Sequence, residues 1–290
     1  MGRTLLITGA TGTVSSALIE ALADSDFELR ALVRDPDKAG PLRERGAQVS
    51  IGDLDDARSL PEAFDGVEDL WLLPPNGPRS SENSMNAVWA ARQAGVRRVV
   101  RLSAVGAAYD APTRSGRLHA LSDHELQASG MNWTILRPHW FMQNLLNAAG
   151  DIAANSRFSF NAGAGRLGMI DVRDIAAFAA QVLVDPPEQH HGKIYTPTGP
   201  ESLAFSAVAE RFAGVLGRPV DYVARDEESE RETLLSYGVP PWIVDMLVEY
   251  GQAYASGWGD FTTGDFEEVV ARPPRSIDDF VRDHAEAFTR

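Results

Sequence analysis

The sequence of 290 residues has no cysteine, which excludes disulfides, thiolate nucleophiles and zinc held by cysteine. It has only two lysines, Lys38 and Lys193, so lysine-assisted chemistry is confined to two places in the fold. Long apolar runs are missing as well. No stretch approaches the roughly 18 residues needed to span a bilayer, and the N-terminus runs straight into an apolar strand without a signal-peptide layout, so a cytoplasmic protein with no membrane partner is expected. Basic charge is in short supply: the net charge of −14 argues against nucleic acid or anionic lipid as partners. The deficit is local, since residues 221–290 hold 16 acidic against 6 basic side chains. The first 220 residues are closer to neutral, as suits a surface that receives a polyanion. No Gly-x-Ser-x-Gly elbow occurs, and His190 and His191 lack partners at metal-ligand spacing, so neither an α/β-type hydrolase nor a metal site is expected.

What is present is organised around Thr4 to Leu18, TLLITGATGTVSSAL. Leu5, Leu6 and Ile7 form a continuous apolar run, as in a parallel strand covered on both faces. Gly9 and Gly12 let the backbone turn and approach a ligand where a Cβ would collide. The helix that starts near Thr13 aims its free N–H groups and positive dipole end at the same spot. Gly9, Thr11, Gly12, Thr13 and Val14 are therefore the candidates for holding a pyrophosphate. Ser15 stands where a third glycine is usual for close helix–strand packing, so a slightly displaced helix is expected rather than a lost site.

Apolar runs at 5–7, 27–33, 49–51, 70–73, 96–102 and 133–136 alternate with helical spacings such as Val14, Leu18 and Leu22, or Met85, Val88 and Trp89. The alternation predicts an α/β chain, a Rossmann-like doubly wound parallel sheet with right-handed crossovers, whose ligands bind at the carboxyl ends of the strands. The second strand ends in LVRDPDKAG. Arg34 and Lys38 favour the 2′-phosphate of NADP(H) over NAD(H), unless Asp35 faces the ribose instead. At the third strand's end Asp53 can accept from an adenine amino group while Leu54 packs on the ring. At the fourth, Leu73 and Pro74 keep the backbone extended beside the nicotinamide half. Ser103 follows the fifth strand, where its hydroxyl can meet a substrate or cofactor oxygen or cap a helix.

The ordered segments TGATGT, LVRDPDKA, GDLDD, LLPP, AARQAGVRRVVRLSAVGA, ELQASGMNWTILRPHWFMQNLL, IDVRDIA and GKIYTPTGPESL resemble the NmrA-like branch of the atypical short-chain dehydrogenases/reductases, from Leu5 to about Val223. The resemblance implies NADP(H) contacts at Gly9, Gly12, Arg34, Asp53 and Pro74. It also implies a small, mainly helical C-terminal lobe that closes the substrate cleft. The expected domains are 1–150 plus 171–197 for the cofactor and 151–170 plus 198–290 for the substrate. Members of that branch include NADPH-dependent quinone and triphenylmethane-dye reductases, and regulators that bind the dinucleotide without turnover.

Short-chain reductases usually protonate the product through a Tyr-x-x-x-Lys pair. Here the residues four positions before Lys38 and Lys193 are Arg34 and Gln189, and the family's two positions hold Arg117 and Leu121. Three readings follow. The acceptor needs hydride but no enzyme-bound acid, as with a quinone or a cationic conjugated dye. Or another acid serves: His119 or His124 on one predicted helix, since imidazole titrates in range, or Ser103, Tyr109 or Tyr195. Or the protein senses the dinucleotide, or has kept the fold for a biosynthetic step without redox. After the sixth strand, PHWFMQN places Pro138 near the cofactor and Trp140, Phe141 and Asn144 in the cleft, with Gln143 at the turn or on the substrate. Tyr254 and Trp258 from the C-terminal helices are candidate walls of the same pocket, which suits a planar, conjugated small molecule. A monomer or homodimer is expected.

Overall fold

The computed structural model describes residues 2–289. Strands β1 (Thr4–Ile7), β2 (Glu28–Val33), β3 (Gln48–Ile51), β4 (Asp69–Leu72), β5 (Arg98–Leu102) and β6 (Asn132–Leu136) appear in the order that the apolar runs predict. The crossovers between them carry α1 (Thr13–Ala21), α2 (Gly40–Glu44), α3 (Leu60–Phe64), α4 (Ser80–Ala94) and α5 (Arg114–Gln127). A longer excursion follows through α6 (Ala149–Asn155), β7 (Arg157–Phe160), β8 (Arg166–Leu167), α7 (Val172–Val184) and α8 (Pro187–His190). The chain then returns as β9 (Lys193–Tyr195). The seven-stranded sheet runs β3-β2-β1-β4-β5-β6-β9 with every neighbouring pair parallel. This is the Rossmann-like α/β sheet expected, with its order reversing between β1 and β4, where such sheets open a crevice.

Central strands need apolar residues on both faces, and β4 and β5 are buried throughout. Alternation along the strands sends Leu6, Leu32, Leu70, Leu72, Val99 and Ile135 into one core with Phe64, Ala87, Val88 and Leu126 from the helices. The expected stripe on α4 is only partly right. Val88 is buried, but Met85 and Trp89 are 49% and 46% exposed, and Ala87, Ala90 and Ala91 do the packing. Small side chains let this helix lie close to the sheet.

The chain packs as two compact units. One holds the residues up to Tyr109, Gly116–Arg137 and Ile175–Tyr195; the other holds Asp110–Ser115, Pro138–Asp174 and the residues from Thr196 onward. The sequence predicts a sheet domain that runs to residue 150 and resumes at 171. In the structure Pro138 onward packs with the second unit, because His139 N–H bonds Pro197 O, Ile170 N–H bonds Trp140 O and Met142 N–H bonds Ile170 O.

The second unit adds β10 (Leu203–Ala204), α9 (Phe205–Leu216), β11 (Asp221–Ala224), α10 (Glu227–Ser236), α11 (Pro241–Ala255), α12 (Asp265–Val270) and α13 (Ile277–Asp283). It is mainly helical, as expected, but β11 pairs in parallel with β7. That pairing and α12 are absent from the sequence reading. The core of this unit is aromatic: Phe158 lies 6.1 Å from Phe205 and 6.0 Å from Phe212, and Phe212 lies 4.8 Å edge-on from Phe288. No helix among the described residues is long and apolar enough to cross a membrane.

Candidate active site

The crevice between β1 and β4 is built from the glycine junction. Thr8, fully buried after β1, accepts from Leu73 N–H at 2.7 Å and donates to Trp71 O at 3.1 Å, which ties the two strand ends together. Gly9 has φ +59°, and a Cβ there would sit 2.9 Å from Leu73 O, so only glycine fits. Gly12 donates to Gly9 O at 2.8 Å and forms the N-cap of α1. It brings no capping side chain, and the first turn holds no acidic residue. The N–H groups of that turn, with the positive helix end, remain available to an anion. Ser15 solves the missing third glycine with hydrogen bonds: its buried Oγ donates to Thr8 O at 3.0 Å and accepts from Trp71 Nε1 at 2.9 Å.

A cleft of about 680 Å³ opens over this junction. Gly9, Thr11, Gly12, Arg34, Lys38, Asp53, Leu54, Leu73 and Pro74 all line it, joined by Ala10, Asp35, Gly52, Pro75 and Asn76. Thr13 and Val14 lie in the first turn of α1, with Val14 buried, and Ser103 and Pro138 are not part of the lining. Gly52 went unread in the sequence. A Cβ there would stand 3.0 Å from Leu32 Cδ1, and a glycine directly after a strand was the available signal.

The rim at β2 settles the geometry of its charges. Asp35 Oδ1 accepts from Asp37 N–H at 3.0 Å and caps the turn Pro36–Ala39. Arg34 and Lys38 are exposed and have no ion-pair partner among the described residues. Asp53 lines the cleft, and its Oδ1 accepts from Asp55 N–H at 3.0 Å. The residues therefore fit a dinucleotide: an uncapped helix end and a Cβ-free turn for the pyrophosphate, with two free cations near the ribose.

One strand over, β5 and β6 end in a buried ionic cluster. Asp123, with no exposure, accepts from Arg101 Nε at 2.8 Å, Ser103 Oγ at 2.8 Å and Arg137 Nη2 at 2.9 Å. Arg101 also donates to Ser84 Oγ at 2.8 Å and meets His119 Nδ1 at 3.2 Å. Burial pushes the Arg101 guanidinium down from its ordinary value, against the pull of Asp123. Sequence reasoning found Ser103 and His119 but missed the charges that hold them.

Two expectations change here. Ser103 has committed its proton to Asp123, so toward a ligand it offers lone pairs rather than a donor. His119 is not an acid of ordinary range, because burial and then the Arg101 charge lower its pKa to about 3. His119 and His124 do share one helix, α5, as expected, but point to different sides of it, since five residues turn an α-helix by about 140° net. His124 is exposed, donates through Nδ1 to Ala120 O at 2.7 Å and stacks at 4.7 Å on Tyr109, itself 60% exposed. Arg117 and Leu121 are exposed as well. Tyr195 shares its hydroxyl with His190 Nδ1 at 2.9 Å, and His190 Nε2 meets Asp185 at 3.1 Å, a buried strut.

Within the second unit, Tyr254 is a correction. It is 1% exposed, flanked by His139 at 5.9 Å, Tyr250 at 5.8 Å and Trp258 at 5.7 Å, and so packs inside rather than presenting a wall. Trp140, Phe141 and Trp258 stay partly exposed, with Trp140 set edge-on to Phe205 at 5.4 Å. Gln143 serves the turn, accepting from Val172 N–H at 2.8 Å and donating to Asp171 at 2.9 Å, while Asn144 is exposed.

Comparison with known proteins agrees with this geometry. A family described as NAD(P)H-binding matches residues 9–186. The NAD(P)H azoreductase of Xenophilus azovorans is 36% identical over 287 residues, covering 98% of this chain and 99% of that protein. The NADPH-dependent quinone oxidoreductase QOR2 of Escherichia coli, solved with NADPH, is 28% identical with a TM-score of 0.87 over 97% of this chain and 99% of that one. The triphenylmethane reductase of Citrobacter sp. shares the fold at 22% identity, TM-score 0.87, over 99% and 100% of the two chains. With the glycine cradle, the uncapped helix and the reversing strand order in place, the match makes this chain a member of the NAD(P)H-binding family to which its NmrA-like segments pointed.

Proposed function

We propose that the protein is an NADPH-preferring reductase of flat, conjugated acceptors of quinone, azo or cationic-dye type. The observation that carries the cofactor choice is at the end of β2: Asp35 is engaged as a helix cap while Arg34 and Lys38 face the cleft unpaired. A 2′-phosphate is held by such unpaired cations, whereas a ribose 2′-hydroxyl bound by Asp35 would rely on the one carboxylate oxygen that the turn leaves over.

A bound reduced nicotinamide supplies hydride. The chain's own residues do the rest. The α1 N-terminus and the Gly9–Gly12 turn hold the pyrophosphate, and Asp53 and Leu54 take the adenine. Leu73 and Pro74 keep the far end of the cleft extended. No Tyr-x-x-x-Lys acid is available, and Ser103 has no proton to give, which restricts the acceptor to molecules that delocalise the negative charge left by hydride addition, as quinones and azo compounds do, or that are neutralised by it, as cationic dyes are. Relatives named as azoreductase and quinone oxidoreductase support that choice. We place this activity in the cytoplasm, in a monomer or homodimer.

Calorimetric titration with NADPH and NADH tests the reading. NADPH should bind at least about tenfold tighter, and Arg34→Ala should remove most of that preference, as expected when a charge-assisted contact of about 1.5–3 kcal/mol is lost. Equal affinities in the unmodified protein overturn the NADPH preference. NADPH binding with no turnover of any quinone, azo compound or dye moves the protein to the sensing role.

A further inference from the structure

Arg101 lies opposite Leu72 in the register of β5 with β4, and Leu73, the residue directly after β4, lines the cleft. The cluster built on Arg101 therefore stands beside the Leu73–Pro74 end of the cleft. An arginine has no lone pair to share, so its contact with His119 can run only one way: Nη2–H donates and Nδ1 accepts. The imidazole proton must then sit on Nε2. That N–H has no acceptor among the described residues, and His119 as a residue is half-buried rather than sealed.

The charged groups around the ring are Arg101 from β5, Asp123 from α5 and Arg137 after β6, two guanidiniums to one carboxylate. Burial and Arg101 lower the imidazole pKa to about 3 against the opposing pull of Asp123, so the ring is neutral at any working pH.

We propose that His119, fixed in its Nε2–H tautomer by Arg101, donates a hydrogen bond to the substrate atom that gains negative charge as hydride arrives. This rests on the reading of the protein as a reductase. In the step, one hydride adds to the conjugated acceptor and leaves the dinucleotide oxidised. The acceptor's oxygen or nitrogen takes the negative charge, is held by Nε2–H, and then collects its proton from water. No proton leaves His119. A neutral imidazole can act as an electrophile in this way without being an acid at all. His119 is then a catalytic residue, and Arg101 a positioning residue that sets the tautomer.

Two measurements test it. In nitrogen-15 NMR of cofactor-free protein, His119 should show the Nε2–H tautomer and no titration between pH 5 and 8. Arg101→Met should release the tautomer, so that the Nδ1–H form appears beside the Nε2–H form, and should raise the pKa from its wild-type value while burial and Arg137 still hold it below the ordinary imidazole range. A wild-type His119 that titrates between pH 5 and 8 overturns the proposal. In turnover with a quinone or azo acceptor, His119→Leu should lose about 100- to 1000-fold in kcat, the usual effect of removing a donor to developing charge. Its NADPH affinity by calorimetry should not change. His119→Gln keeps a side-chain N–H and should stay within about tenfold of wild type. Equal losses in the two variants, or none in His119→Leu, also overturn it. Wild-type protein that reduces no such acceptor sinks the reductase reading and this proposal together, whereas full turnover in His119→Leu sinks the proposal alone.

Discussion

Strand β5 carries two buried arginines three residues apart, and its two ends have opposite characters. Arg98 and Arg101 are each 1% exposed, and each pairs with an aspartate, Asp69 at 2.9 Å and Asp123 at 2.8 Å. Arg98 gives its remaining donors to backbone: Nη1 to Val182 O at 3.1 Å and Asp185 O at 3.0 Å, and Nη2 to Leu183 O. These carbonyls lie in the last turn of α7 and just past its end, where a helix leaves them unpaired and they attract a cation. Arg101 gives its donors to side chains, Ser84 and His119, and shares Asp123 with Ser103 and Arg137. A guanidinium locked onto backbone closes a structure. One that holds side chains can set their tautomers and proton positions, and a free N–H is left over on His119. Burial and an ion pair alone do not separate these roles; the identity of the other acceptors does.

The largest effect that would sharpen this contrast is on stability. Arg98→Met should cost about 3–5 kcal/mol in urea unfolding, the usual result of stripping one partner from a buried pair, because Asp69 keeps only the half-exposed Arg3 at 3.2 Å and three helix-end carbonyls lose their donor. NADPH affinity of the folded fraction should be unchanged. Arg101→Met should destabilise less, since Arg137 still faces Asp123, and should show itself in the pH dependence of turnover. If both variants lose equal stability and Arg101→Met has an ordinary pH profile, the two ends of β5 do not differ in the way described.

Ser15 offers an effect of middle size. Restoring the usual third glycine, Ser15→Gly, leaves the buried Trp71 N–H without an acceptor and puts glycine inside a helix, which together should cost about 2 kcal/mol. NADPH affinity should change by less than about threefold, because the serine acts behind the phosphate turn rather than in it. A gain in stability on denaturation would show that the serine is tolerated rather than used.

The glycine junction was legible because its parts are contiguous: strand, two glycines and helix start fall within fifteen residues, and each has a local conformational reason. The rim of β2 was half legible. Arg34, Asp35 and Lys38 could be named, and all three line the cleft, but that Asp35 gives one oxygen to Asp37 N–H while the two cations stay unpaired among the described residues shows only in the folded chain. The cluster at β5 was not legible. Ser84, Arg101, Asp123 and Arg137 come from four separate elements, and an arginine between apolar residues in RVVRL reads as an edge or surface position until its partners arrive. Strand β11 was lost for a simpler reason, since DYVA is short and half polar and becomes a strand only by pairing with β7.

Two histidines, one in each unit, extend the contrast between closed and open groups and give the smallest expected effect. His139 is closed: Nδ1 accepts from Trp140 N–H at 2.8 Å and Nε2–H donates to Gly259 O at 3.0 Å, with burial lowering its pKa to about 4. His119 is open at Nε2, with a pKa of about 3. Both lie below the unfolded value near 6.5, so between about pH 6.5 and 4 the unfolded chain takes up protons that the folded chain refuses. Stability therefore falls as pH falls through that window, by at most about 1.4 kcal/mol per pH unit for each histidine, and levels off for these two groups near pH 3. His119→Gln should flatten the slope of unfolding free energy against pH 4–6 by up to that amount. His139→Gln should flatten it similarly but also lower stability at pH 7, where a buried ring with both nitrogens bonded is lost. A slope that His119→Gln leaves untouched would mean that the ring is already protonated in the folded protein, and the open site at Arg101 would have to be redrawn around an imidazolium.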